Sequence, residues 1–258
     1  MVYTFGVVTI FPEMLSAVTE YGVVGRAFRD QRCRLCSVNP RDYTQDAHRT
    51  VDDLPYGGGP GMVMKPEPLM AALNALKQQP ALVQAPVLYL SPQGRPVDQL
   101  RVDEWASASG LILLSGRYEG IDERVIALGV DAEVSVGDFV VSGGELPAMM
   151  LMDAIARRLP GVLGDETSST QDSFVAGRLD WPHYTRPFQY AGLSVPDVLR
   201  SGHHERIQAW RHRQACERTV ARRPDLLERW PLSTKEQAFL QDGYRDGKSD
   251  NPLLKTKG

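Results

Sequence analysis

Aliphatic runs that end abruptly in small, turn-forming residues constrain this chain more than any other feature. Leu-Ile-Leu-Leu-Ser-Gly-Arg-Tyr-Glu-Gly occupies residues 111–120, and Ser-Val-Gly-Asp-Phe-Val-Val-Ser-Gly-Gly-Glu-Leu-Pro occupies 135–147. Upstream, Val-Leu-Tyr-Leu-Ser-Pro-Gln-Gly at 87–94 repeats the design. A continuous apolar run is the mark of a strand buried on both faces, and the Gly and Ser beyond it supply a tight turn. Open parallel sheets bind their ligands at such strand ends. Three strand ends rich in backbone N–H and C=O groups but poor in charge suit a nucleoside better than a polyphosphate.

The rest of the chain supports an α/β layer with a mostly parallel sheet. Residues 5–10 read as a strand, 13–30 as helical turns interrupted by Gly22 and Gly25, and 34–39 as a second strand. The segment 50–68 reads as a loop centred on Tyr56-Gly57-Gly58-Gly59-Pro60-Gly61, and 69–78 as a helix stopped by Pro80. Core strands at 87–91 and 111–115 flank a helix over 97–108. Asp122 is placed to cap a helix over 123–128, followed by a strand at 131–136 and a buried helix over 145–159. Beyond Pro160 the character changes. Residues 164–173 are small, polar and aperiodic, which marks a connector, and no convincing strand follows. Helices are expected at 203–223, 224–230 and 233–243. The expected domains are therefore 1–160 as the α/β layer, 161–176 as a flexible linker and 177–258 as a small all-helical domain.

Composition excludes several classes. With 258 residues, 42% hydrophobic and 24% charged, the chain can bury a sizeable core. No apolar stretch approaches the roughly 20 residues that span a bilayer, and the N-terminus lacks a basic region with a cleavage site, so a cytoplasmic protein without a membrane partner is expected. Three cysteines are too few for a disulfide framework. Cys33 and Cys36 form a C-x-x-C, yet on a strand they face opposite ways, and with no second pair of ligands no metal site is expected. The net charge of −3 advertises no global attraction to nucleic acid. Locally, residues 200–230 hold eight Arg against four acids, which reads equally as an RNA-binding patch or as a solvated helix face.

The common catalytic signatures are missing. The Gly57–Gly61 loop cannot be aligned with a P-loop, and Pro60 and Pro66 remove donors. A turn that admits a base or another backbone at close range fits it better. No G-x-G-x-x-G follows the first strand, and neither H-E-x-x-H nor G-x-S-x-G occurs. What remains are polar residues in loops: Arg117, Glu119, Asp138, Glu145, Asp172, Asp180, His183 and Arg186. Each is by default a cap or a solvated side chain. Asp172 could cap a short helix, Arg157 and Arg158 could answer a helix dipole, and His203-His204 stands where a helix begins.

Taken together, these segments resemble the bacterial TrmD family, the tRNA (guanine-N1)-methyltransferases of the knotted SPOUT class. The resemblance rests on Ile10-Phe11-Pro12-Glu13-Met14, Asn39-Pro40-Arg41-Asp42, Pro55 to Met62, Tyr89 to Gly94, Gly116 to Arg124, Gly143 to Ala148, Asp172-Ser173-Phe174, Pro182 to Pro187 and Ser201 to His204, in order over most of the chain. It implies a deep trefoil knot, which ordinary topology rules treat as a rare exception. It further implies a homodimer with active sites shared between subunits, and S-adenosyl-L-methionine as methyl donor. The donor contacts it implies are Tyr89, Leu90, Ser91, Pro92, Gly94, Gly116, Tyr118, Glu119, Ser135, Val136, Gly137, Asp138, Phe139, Val140, Val141, Gly143, Gly144, Leu146 and Pro147. The tRNA contacts are Gly58, Gly59, Asp180, His183, Arg186, Ser201 and His203. The resemblance allows Mg²⁺ to assist, and no carboxylate cluster demands it.

The implied target is N1 of the guanosine immediately 3′ of the anticodon, position 37. That nitrogen carries a proton at neutral pH, which a carboxylate can remove. Asp172 matches the family's base. Charge then gathers on O6, where a guanidinium can stabilise it, and Arg157 matches that role. Two other readings stand beside this one: a SPOUT methyltransferase acting on another base or a ribose 2′-hydroxyl, and an RNA-binding module without turnover.

Overall fold

The computed structural model describes residues 2–164 and 171–245. The chain divides into two compact units, Met1–Ser169 and Thr170–Gly258. Of the expected linker, residues 165–170 lie outside the described residues, as does the tail from 246 onward.

Unit 1 is built on five parallel strands: β1 (Tyr3–Val8), β2 (Cys33–Val38), β5 (Val87–Pro96), β6 (Gly110–Ser115) and β7 (Ala132–Ser135), in the order β2-β1-β6-β5-β7. The central strand β6 pairs with β1 on one side and β5 on the other, Leu113 standing opposite both Val7 and Leu88. Because side chains alternate along a strand, β6 splits its aliphatic run between two cores. Leu111 and Leu113 join Phe5, Val7, Leu88 and Leu90 on one face, while Ile112 and Leu114 join Val87 and Tyr89 on the other.

Helices cover both faces. On the second face lies α3 (Pro66–Lys77), whose Leu69, Ala72, Leu73 and Leu76 recur at the spacing of one helical stripe. On the first lies α6 (Glu145–Ala156), with Ala148, Leu151, Met152 and Ile155 at the same spacing. Helix α4 (Gln99–Ala106) starts at Asp98, whose carboxylate accepts the Arg101 N–H, and α5 (Glu123–Gly129) starts at Asp122, which accepts from Arg124 as the sequence implied. Cys33 and Cys36 do face opposite ways, one in each core.

Several expectations need correction. The 13–30 segment is a 3-10 turn at Pro12–Leu15, then α1 (Ser16–Thr19) and α2 (Gly22–Arg29), because Gly22 takes a left-handed φ of 65° that no continuous helix allows. The 50–68 loop carries two short antiparallel strands, β3 (Asp52–Asp53) and β4 (Val63–Met64), and α3 begins at Pro66 rather than at 69, since proline suits a first helical turn. Unit 2 is not all helical. Gln189–Tyr190 and Leu193–Ser194 form a hairpin, β8 and β9, turned by Ala191 and Gly192, both with positive φ. Its helices span His204–Arg222, Leu226–Arg229 and Thr234–Arg245.

Strand β5 also runs further than 87–91. It bulges between Leu90 and Arg95 and pairs both with Val134 of β7. Gly94 lies so close to β7 that a Cβ there would stand 2.3 Å from the Val134 nitrogen. That backbone cannot yield without breaking the ladder, so Gly94→Ala should lower the urea stability of the chain by about 2–3 kcal/mol. A variant as stable as the wild type would show that the bulge tolerates a side chain.

Candidate active site

The C-terminal ends of β5, β6 and β7 open into one crevice. Its floor is β5 (Tyr89, Leu90, Ser91, Pro92), one wall is the turn 116–120 after β6, and the other is the loop from Val134 to Gly144, closed by Pro147 of α6. Most of the residues implied as donor contacts gather here: Tyr89, Leu90, Ser91, Pro92, Gly116, Tyr118, Glu119, Ser135, Val136, Gly137, Phe139, Val140, Val141, Gly143, Gly144 and Pro147. Gly94, Asp138 and Leu146 do not line it. Gly94 is held against β7 as above, and Leu146 points outward from the first turn of α6, half exposed. Arg117, Gly120, Val134 and Ser142 line the crevice although the resemblance did not single them out for it.

Close backbone approach explains the glycines. A Cβ at Gly116 would stand 2.9 Å from the Tyr89 ring, and one at Gly144 would stand 2.6 Å from Ser115 Cα. Tyr89 is thereby clamped under the β6 turn. Burial pushes its hydroxyl pKa up, against the opposing effect of a hydrogen bond with the Ile121 backbone. The turn is stitched to β4 as well, with the Glu119 N–H donating to Met62 O and the Met64 N–H to Gly120 O. Tyr118 has a φ of 61° and is half exposed; partial desolvation and then the Asp52 carboxylate push its hydroxyl pKa up.

What sequence reading missed is the role of Glu145. It reads as a solvated side chain at a helix start, yet it is fully buried. Arg117 Nε donates to its Oε2 at 2.8 Å, and the Thr9 hydroxyl donates to its Oε1 at 2.7 Å. The same guanidinium reaches Ser142 O at 3.2 Å and lies 4.7 Å over the Phe11 ring. One buried ion pair thus ties the turn after β6, the loop before α6 and the end of β1 into a single rim. Gly143 must lack a side chain, because a Cβ there would meet Arg117 Nε at 2.2 Å. The sequence signal available was an acid at the first position of a mostly apolar helix whose one other charge is Asp153.

The residues implied as tRNA contacts are distributed over both units. Gly58 and Gly59 take positive φ in an exposed turn with nothing within 4 Å of either Cβ position, so a flat partner can approach their backbone. In unit 2, Asp180 Oδ2 lies 2.7 Å from His183 Nε2, His183 is tilted against Trp181, and Arg211 stacks 4.9 Å from that indole. Arg186 is exposed, as are Ser201 and His203, which precede the helix His204–Arg222. Part of the arginine excess is answered locally, by Arg213 with Glu217 and Arg223 with Asp225. Arg157 ends α6, and Arg158 beside it pairs with Asp103 at 2.6 Å. No helix begins at Asp172. Residues 172–178 form turns and bends in which Val175 N–H donates to Asp172 O and Phe174 N–H to Arg178 O.

Residues 3–229 match the family described as tRNA (Guanine-1)-methyltransferase TrmD. The chain belongs to the TrmD family. A Nitrosospira multiformis protein is 56% identical over 248 residues, covering 94% of this chain and 97% of its own. A Dechloromonas aromatica protein is 55% identical over 242 residues, covering 92% and 95%, and a Shewanella halifaxensis protein 54% identical over 246, covering 95% and 99%. All three are named tRNA (guanine-N(1)-)-methyltransferase.

In this TrmD chain the buried pair is a sharp target. Glu145→Ala strands the Arg117 charge and should cost about 3–5 kcal/mol of stability in urea denaturation. The double change with Arg117→Ala should cost less than the two single losses added together. Additive losses would mean that the two side chains do not act as a unit.

Proposed function

We propose that this protein transfers a methyl group from S-adenosyl-L-methionine to N1 of the guanosine at position 37 of tRNA. The observation that carries the reading is the family match over residues 3–229, with the family's loops gathered around one strand-end crevice. The crevice fits a nucleoside donor on its own chemistry. It offers apolar side chains (Leu90, Val136, Val140, Pro147) beside glycine-bearing turns and the polar side chains of Ser91, Glu119 and Ser135. The residues from Tyr89 to Pro92, from Gly116 to Glu119 and from Ser135 to Pro147 would hold the donor. Bound there, S-adenosylmethionine supplies an electrophilic methyl on a sulfonium.

The chain's own groups do the proton work. The Asp172 carboxylate accepts the guanine N1 proton, which leaves a nitrogen lone pair to attack the methyl. The Arg157 guanidinium donates to O6 as negative charge gathers there. In the same reading the strand-end loops form a trefoil knot, and the active unit is a cytoplasmic homodimer whose sites combine one subunit's crevice with the partner's helical domain. Residues 1–160 form the catalytic domain, 161–176 the linker and 177–258 the tRNA-binding domain, with Mg²⁺ as an assistant that no carboxylate cluster of the chain demands.

Asp172→Asn should lower methyl transfer to unmodified tRNA by about 10²–10⁴-fold while tRNA binding persists. Full activity in that variant removes the base assigned here, and mass spectrometry showing a methyl on another base or on a ribose replaces the target. A mixture of Asp172→Asn chains with Gly144→Val chains, each inactive alone, should regain activity if sites are shared between subunits. An inactive mixture containing verified heterodimers contradicts sharing.

A further inference from the structure

A second group of chemically matched side chains lies in unit 2. His212 and Cys216 stand one turn apart on the helix His204–Arg222, so both project from one face. The helix Thr234–Arg245 brings Glu236 against them. Cys216 Sγ lies 3.3 Å from Glu236 Oε1, His212 Nε2 lies 3.4 Å from the same oxygen, and the sulfur and nitrogen are 3.9 Å apart. Among the described residues, this is the one group of three His, Cys or acidic side chains whose ligand atoms lie within 4.8 Å of one another.

Those separations are close to what a tetrahedral ion requires. With metal–sulfur bonds of about 2.3 Å and metal–nitrogen or –oxygen bonds of about 2.0–2.1 Å, tetrahedral edges come to about 3.3–3.6 Å. Two of the three observed distances fall in or beside that range, and the third exceeds it by a few tenths of an ångström.

Glu236 is also held in place. It forms a reciprocal cap with Ser233, whose N–H and hydroxyl donate to Oε2 at 2.7 and 2.8 Å, while the Glu236 N–H donates back to Ser233 Oγ. Arg178 adds Nη2 to Oε2 and Nε to Oε1. These bonds hold the carboxylate with Oε1 turned toward the thiol and the imidazole. His212 is half exposed, which gives an ion a path in from solvent.

We propose that His212, Cys216 and Glu236 form a zinc-binding site that clasps the helix His204–Arg222 to the helix Thr234–Arg245, with the fourth position open to water. Thiolate, imidazole and carboxylate together favour Zn²⁺ over Mg²⁺ or Ca²⁺, which take oxygen ligands. Binding releases the Cys216 thiol proton to solvent and replaces its hydrogen bond to Glu236 with two metal bonds. One thiolate and one carboxylate then balance the ion's charge. Sequence reading passed over the site because Glu236 lies twenty residues beyond Cys216 and in another helix.

The test uses the full chain, freed of metal with a chelator and then titrated with Co²⁺ and with Zn²⁺. Expected are about one metal ion per chain, a near-ultraviolet cobalt–thiolate charge-transfer band, and a zinc-dependent rise in Tm. His212→Ala, at a half-exposed position that should fold normally, is expected to weaken binding by at least about tenfold and Cys216→Ala to abolish the band. A Cys33→Ala/Cys36→Ala variant should keep both. No metal uptake at micromolar Zn²⁺, uptake unchanged by His212→Ala, or a band that vanishes only with Cys33 and Cys36 would each overturn the site.

Discussion

A parallel sheet covered by helices on both faces leaves polar chemistry little room except at its strand ends. In unit 1 the central strand β6 is buried along its whole length, and its neighbours β1 and β5 are buried over the residues that pair with it. Hydrogen-bonding groups freed from the ladder therefore emerge together beyond Ser91, Ser115 and Ser135, and there they line one crevice. The aliphatic core and the candidate site are thus two consequences of the same layering.

Holding that crevice in shape falls to a charge that water cannot reach. Glu145 is fully buried, so its carboxylate is tolerable only because Arg117 and Thr9 answer both oxygens. Such a pair contributes little net stability compared with an apolar core, but it is directional. It sets where Arg117 lies, and Arg117 in turn sets how closely Gly143 can pass. The glycines at 116, 143 and 144 are then geometric requirements of a rim in which backbone packs on backbone and on side chains.

Unit 2 works on different terms. It has a thinner core, and much of its order comes from polar and aromatic contacts: Arg178 bridges Glu236 to the Trp230 and Pro231 carbonyls, Leu179 N–H donates to Thr219 Oγ1, and Tyr184 and Trp210 meet at 6.4 Å. Arginines that looked in the sequence like either an RNA patch or a solvated face divide between these uses. Some are tied to acids or stacked on indoles, while Arg206 and Arg222 face solvent on the helix His204–Arg222. The net charge of −3 conceals this arrangement.

The sequence by itself determined the strands and most helices of unit 1, because burial on two faces writes continuous aliphatic runs and burial on one writes a helical stripe. It also determined the family, through ordered motifs that span most of the chain. Elements carried by few residues were illegible: β3, β4 and the β8–β9 hairpin have two residues per strand, too short a run to show a period, and stayed out of sight. So did the bulge at Gly94, the internment of Glu145 and the meeting of His212, Cys216 and Glu236. Each of these rests on the distance between atoms far apart in sequence, and only the tertiary structure sets such distances, since local propensity and periodicity carry no information about which loops or helices will come to share a surface.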